Sequence, residues 1–203
     1  MARYTGPKTK VSRRYGVLLG GSPRAFENKS YPPGQHGPKG SRRKISEYGT
    51  ALAEKQKLRF QYGVLERQFR RYFETALKTR GVTGLILLQL LETRLDNVVY
   101  RMGFAKTRSG ARQMVSHGHV TVNGRKCDVS SATLKVGDTV AVRAKDGSKR
   151  LAQRGLEQTQ IVEAPDWLLV DKEALSGKVV RIPTREEINP VVNEQLVVEL
   201  YSR

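Results

Sequence analysis

Acidic residues are scarce in this sequence, cysteine and tryptophan are nearly absent, and long apolar runs are missing. One cysteine, Cys127, and one tryptophan, Trp167, occur in 203 residues. A lone cysteine excludes an internal disulfide and a cysteine-rich zinc site. Trp167 reads as core. No apolar run approaches the roughly 20 residues that a membrane-spanning helix needs. The N-terminus is basic without a following apolar stretch, so no secretory signal is expected. Neither a glycine-rich phosphate loop ending in Lys-Ser/Thr nor a His-Glu-x-x-His pattern occurs. The three histidines are His36, in a Gly-Pro loop, and His117 and His119, at a helix–strand junction. With no cysteine or paired carboxylates beside them, no metal and no cofactor are expected. Asp96 has no evident pocket to tune it as a base, and it reads as a group that orients neighbouring arginines. These absences describe a soluble, intracellular protein that is not an enzyme.

What is abundant is positive charge. Lys and Arg number 37 against 19 Asp and Glu, for a formal net charge of +18. Such an excess repels itself, and a polyanion relieves the repulsion. Nucleic acid is the first candidate and an anionic membrane surface the second. The charge is unevenly placed. Residues 1–50 carry Arg3, Lys8, Lys10, Arg13, Arg14, Arg24, Lys29, Lys39, Arg42, Arg43 and Lys44 against Glu27 and Glu47 only. Residues 151–203 reverse the balance, with nine acidic residues against six basic ones. The polyanion is therefore expected on the N-terminal three-quarters.

Periodicity predicts an α+β chain. Residues 1–44 show no sustained period and are broken by Gly and Pro, notably at 32–38, so an extended or irregular basic arm is expected. Helical pattern follows over 46–62, with Ser46 as N-cap, and over 64–80. On the second of these, Leu65, Phe69, Tyr72, Phe73 and Ala76 form an apolar stripe. Arg67, Arg70, Arg71 and Lys78 lie opposite, with Glu66–Arg70 and Glu74–Lys78 as favourable i,i+4 pairs. One helix is predicted over 83–102, with Leu88, Leu91, Leu95, Val98 and Met102 as its core stripe. Another starts at the cap Thr107, turns Ala111, Met114 and Val115 inward, and stops at Gly118. The period then becomes two. Strands are expected at 119–122 and 125–129 around the hairpin signal Asn123-Gly124, and at 139–143, 167–170 and 178–182. A turn is expected at Ser176-Gly177, a short helix over 148–157, a helical turn at 184–188 and a final helix over 190–201.

One segment concentrates the chemistry: residues 94–122, a helix, a loop, a second helix and a strand. Arg108 and Arg112 lie one turn apart, a repulsion of a few tenths of a kcal/mol (~0.2–0.5) that an overlying anion reverses. The N-terminus at Arg108-Ser109-Gly110 offers backbone donors and a favourable dipole to a phosphate. Gln113, His117 and Asn123 supply hydrogen-bonding groups. Arg125 and Lys126 extend the strip, and Arg94 and Arg101 flank it. Such a surface reads RNA by shape and phosphate spacing. With Arg112 exposed, Arg112→Ala is expected to weaken binding without unfolding.

The ordered set Arg94-Leu95-Asp96, Ser109, Ala111-Arg112-Gln113, Gly118-His119-Val120, Val122-Asn123-Gly124 and Gly137-Asp138 resembles a known module. This is the helix-helix-strand RNA-binding module named after the fourth protein of the small ribosomal subunit, also found in pseudouridine synthases. The flanks point to the bacterial ribosomal family itself. Similar stretches are residues 1–7, Ser12-Arg13-Arg14, 33–37, 46–49, 54–57, 62–69 and 193–202. No zinc-binding cysteines stand near the N-terminus, so no metal is carried over from the family. The resemblance implies a helical domain of residues 45–92 plus 184–203, and an RNA-binding module over 93–183 with helices packed on an antiparallel sheet. It implies a structural constituent of the cytoplasmic ribosome that binds a multi-helix junction in the 5′ domain of small-subunit rRNA early in assembly. It further implies a position beside the fifth small-subunit protein and other ribosomal proteins, near the path by which mRNA enters, with influence on translational accuracy. There Arg42, Arg43 and Lys44 would touch mRNA or, equally in keeping with the charge run alone, only rRNA or solvent. A modification enzyme using the same module lacks room here for a catalytic domain. A regulatory protein binding an mRNA that mimics the junction remains an alternative.

Overall fold

The computed structural model describes residues 4–21, 23–39, 45–159, 164–188 and 190–202. In chain order the helices are α1 (Lys8–Tyr15), α2 (Pro23–Glu27), α3 (Glu47–Gln61), α4 (Glu66–Lys78), α5 (Thr83–Glu92), α6 (Leu95–Arg101), α7 (Arg108–Ser116), α8 (Asp146–Gln158), α9 (Arg185–Ile188) and α10 (Glu194–Ser202). The strands are β1 (Val120–Val122), β2 (Arg125–Lys126), β3 (Thr139–Val142), β4 (Leu168–Asp171) and β5 (Ser176–Val179). Two compact units contain them: residues 1–86 with 190–203, and residues 87–189.

In the first unit Ser46 caps α3, its Oγ accepting from the Gly49 amide at 3.2 Å. Phe69, Phe73 and Ala76 of α4 are buried, and the two Phe rings stack on Tyr201 of α10. The Tyr201 hydroxyl donates to Glu66 Oε1 at 2.7 Å, and Lys55 Nζ donates to the same oxygen at 2.9 Å. Glu66, expected to pair with Arg70, is therefore engaged from elsewhere. Arg70 pairs with Glu74 instead, at 3.4 Å.

The basic arm corrects the expectation of irregular chain. Residues 8–15 form α1, preceded by Pro7 and ended by Gly16 at φ 67, a start and stop suited to a helix. Ser12 is buried, donating to the Gly20 carbonyl at 2.8 Å and accepting from the Leu19 amide at 3.1 Å. Tyr4 packs edge-on against Phe60 of α3, 5.2 Å between centroids, and Tyr15 lies on the same ring. These aromatic contacts and the bonds of Ser12 hold the segment in place.

The second unit holds an antiparallel sheet in the order β2-β1-β3-β5-β4. Asn123 and Gly124, at φ 49 and 77, make the tight turn between β1 and β2. Positive φ at both central residues matches the right-handed twist of the strands. Leu95, Val98 and Val99 of α6, Met102 just after it, and Ala111, Met114 and Val115 of α7 share one core with Val120, Val140, Val179, Leu168 and Trp167.

Two expectations fail here for tertiary reasons. The predicted helix over 83–102 breaks at residues 93–94, where Arg94 is extended at φ −66, ψ 139 and bridges to Thr133. Local pattern favours continuation, but two amides and a carbonyl nearby are taken by a distant loop. Leu95 N donates to Ala132 O, Asp96 N to Ser130 O, and Leu134 N to Thr93 O. Ser176-Gly177, read as a turn, lies inside β5. A Cβ on Gly177 would come within 2.8 Å of Met102 Cε, so this glycine serves close packing.

Candidate nucleic-acid interface

The centre of the candidate site is a set of arginines held by two buried carboxylates. Asp96 opens α6, and Glu92 closes α5. Arg94 grips Asp96 with two bonds, Nε to Oδ1 at 3.0 Å and Nη2 to Oδ2 at 2.8 Å. Arg112 Nε reaches Asp96 Oδ2 from α7 at 3.1 Å. Glu92 takes a matching pair from Arg101, at 3.0 and 2.7 Å, and a bond from Asn97 Nδ2 at 2.6 Å. Asn97 Oδ1 in turn accepts from Arg108 Nε at 2.8 Å, and the Arg108 guanidinium lies 4.6 Å over the Tyr100 ring. Three arginines thus share two carboxylates and Arg108 joins them through Asn97, so four guanidinium groups face two carboxylates with a net excess of two positive charges. Forked guanidinium–carboxylate pairs of this kind combine strength with orientation.

Asp96 therefore does what its sequence context suggested: it orients arginines. Glu92 escaped the sequence reading. Its signal was available, because it is the one charged residue in the apolar stretch 81–92. A charge that must be buried calls for a partner.

Several expected ligands prove structural. Arg94 has no exposed surface, so it cannot reach RNA and serves to hold Asp96. The Arg112 side chain is 15% exposed, not the open helix residue that the spacing implied. Thr107 caps α7 and its Oγ1 accepts from the Gly110 amide at 3.1 Å, so that donor is already used and the expected phosphate cradle is smaller. Asn123 commits its amide oxygen to Thr139 N at 2.9 Å and its Nδ2 to Asp138 Oδ1 at 2.8 Å. It locks the hairpin to β3, with Asp138 also accepting from Lys135 N at 2.7 Å. Those bonds, that from the Lys135 backbone foremost, hold the Asp138 carboxyl below its usual pKa.

Others stay on the surface. Ser109, Gln113, His117, Arg125 and Lys126 are exposed around the α7 end and the hairpin, and Arg101 and Arg108 are half-buried. On the first unit, Arg67, Arg70 and Arg71 are exposed along α4. In the arm Lys8, Lys10 and Arg14 are exposed, and partial desolvation of the Lys8 amine lowers its pKa. Arg13 is tied inward, donating Nε to the Tyr31 carbonyl at 3.0 Å with its guanidinium 4.8 Å over the Tyr31 ring. Arg3, Arg42, Arg43 and Lys44 lie outside the described residues. Among the described residues no cluster of His, Cys, Asp and Glu is placed to hold a metal ion, and no helix is long and apolar enough to cross a membrane.

Comparison with known proteins then decides the family. Residues 3–92 match the ribosomal protein S4/S9 N-terminal domain, and residues 93–140 match the S4 domain. This chain belongs to the uS4 family of ribosomal proteins. It is 61% identical over 203 residues to the small ribosomal subunit protein uS4 of Akkermansia muciniphila, covering all of both chains. It is 58% identical over 203 residues to the protein of the same name from Opitutus terrae, and 53% identical over 206 residues to that from Roseiflexus castenholzii, again at full coverage. The family is structural rather than enzymatic, and its S4 domain spans the α6–α7 arginines, the β1–β2 hairpin and the loop at 130–134 that receives the chain at Arg94.

Proposed function

We propose that this chain is a primary rRNA-binding constituent of the small ribosomal subunit, seating its arginines on a multi-helix junction in the 5′ domain of 16S-type rRNA. The observation that carries this reading is the arginine set of α6 and α7, fixed by Glu92 and Asp96. A rigid array of guanidinium groups matches phosphate spacing without the entropy cost of ordering long side chains on binding. The exposed arginines of α4 and the basic arm add phosphate contacts. On this reading the protein nucleates assembly of the subunit. It works beside the fifth small-subunit protein in translational accuracy, and Arg42, Arg43 and Lys44 touch mRNA as it enters.

Chemical footprinting on naked small-subunit rRNA, with this protein alone, tests the proposal. Protection confined to one multi-helix junction is expected. Diffuse or absent protection would overturn it and favour a regulatory mRNA target or a protein partner as the source of specificity.

A further inference from the structure

The arginine set of α6 and α7 leaves one feature of the second unit unused, a groove of about 250 Å³ between α7 and α8. Phe104 and Met114, both buried, give it an apolar floor. Its walls carry Gln113 and His117, both exposed, and its rim carries Lys106 and Arg154. Among the described residues no carboxylate lines it. Arg150 stands one turn before Arg154 on α8 and is also exposed. An apolar slot with an imidazole and a carboxamide on its walls and cations at its lip matches the parts of one nucleotide. The base stacks and is read along its edge, and the phosphate meets the cations.

Gly110 supplies a second and independent observation. It lies in the first turn of α7 and lines the groove. Glycine within a helix costs about 1 kcal/mol relative to alanine. Nothing local requires it, since its φ is not positive and an added Cβ would meet only Thr107 Oγ1 at 3.4 Å and Ala105 Cβ at 3.7 Å, ordinary contacts. What a side chain at 110 would take away is the space in the groove.

We infer that the α7–α8 groove receives a single unstacked base of the rRNA target, with its phosphates on Lys106, Arg150 and Arg154. This rests on the rRNA-binding reading above and adds a base-reading subsite to it. The test is base-modification footprinting of the full chain on naked small-subunit rRNA, comparing wild type with Gly110→Leu and with Arg154→Gln. Leucine is a good helix former, so Gly110→Leu fills the groove without disfavouring α7. Wild type is expected to shield the pairing edge of one nucleotide that is reactive in free RNA. Gly110→Leu should restore reactivity there alone, weaken binding about tenfold, and leave the salt dependence unchanged. Arg154→Gln, an exposed change with little bearing on folding, should weaken the same protection.

An unaltered footprint and affinity in both variants overturns the subsite while leaving the junction reading intact. A wild type that protects no junction overturns both. If no base edge is protected, yet Gly110→Leu impairs reconstitution of the whole subunit, the groove holds a protein side chain and the inference is wrong.

Discussion

Replacing Asp96 by alanine should strongly destabilise the second unit while leaving its apolar core chemically untouched. Asp96 is 4% exposed and Arg94 fully buried. Removal of the carboxylate leaves the Arg94 guanidinium in the interior with its main anionic partner gone. Breaking a buried pair by deleting one partner costs about 3–5 kcal/mol. For a unit of about a hundred residues, that corresponds to a fall in Tm of roughly 12 °C or more. Arg112→Ala is the informative contrast, since it deletes the charged bond from α7 to Asp96 but leaves Asp96 its two bonds to Arg94. Its cost should be about 1.5–3 kcal/mol, in place of the neutrality that an exposed arginine would give. Urea unfolding followed by circular dichroism, with both single variants and the double variant, measures each cost and their coupling. The double variant should cost less than the sum, because each single variant already loses the Arg112–Asp96 bond. If Asp96→Ala lies within 1 kcal/mol of wild type, the carboxylate is not what organises these arginines, and the interface described above loses its physical basis.

Other expectations follow from the same geometry. Leu95→Ala removes a fully buried side chain and should cost about 2–5 kcal/mol in the same assay; an unchanged midpoint would contradict the core assignment. Thr107→Ala removes the cap of α7 and should cost about 1 kcal/mol, with earlier amide exchange at Gly110 as its local sign. Glu187, hydrogen-bonded by Arg181 and by Thr184, titrates at about 2 in the folded chain instead of near 4.5. Its folded pKa is depressed, so its stabilising contribution is present above about pH 4.5 and lost as pH falls towards 2; a carboxyl NMR titration midpoint near 4.5 would show that the pair does not persist in solution. Binding to the rRNA junction should fall about 10³–10⁵-fold between 50 and 200 mM salt if six to ten phosphates are neutralised; a flat titration would count against phosphate contacts.

Elements specified by short-range chemistry were legible in the sequence. Ser46 and Thr107 cap the helices they were expected to cap, and Asn123-Gly124 turns the expected hairpin. The inward set Ala111, Met114 and Val115 is buried, as its spacing implied. What escaped is what depends on partners far along the chain. The break between α5 and α6 arises because residues 130–134 capture the backbone there, and no local propensity announces it. Arg94 and Arg101 were both expected to flank the basic strip. Burial separates them, and it is set by a carboxylate rather than by a period. The arm was misread for a related reason. Its composition is poor in aliphatic residues, while the contacts of Tyr4 and Tyr15 with Phe60 lie more than forty residues away in sequence.

The junction at Arg94 also bears on the order in which the site can form during synthesis and folding. When α5, α6 and α7 have emerged, the segment that fixes the bend between the first two has not yet been made. Until Ser130 and Ala132 accept from Asp96 and Leu95, helix propensity favours one continuous rod through residue 94, with its arginines pointing elsewhere. An excised peptide spanning α6 and α7 therefore carries the sequence of the proposed binding surface without its shape. The surface matures only when a later, non-local closure is complete, which couples readiness to bind RNA to the folding of the whole unit.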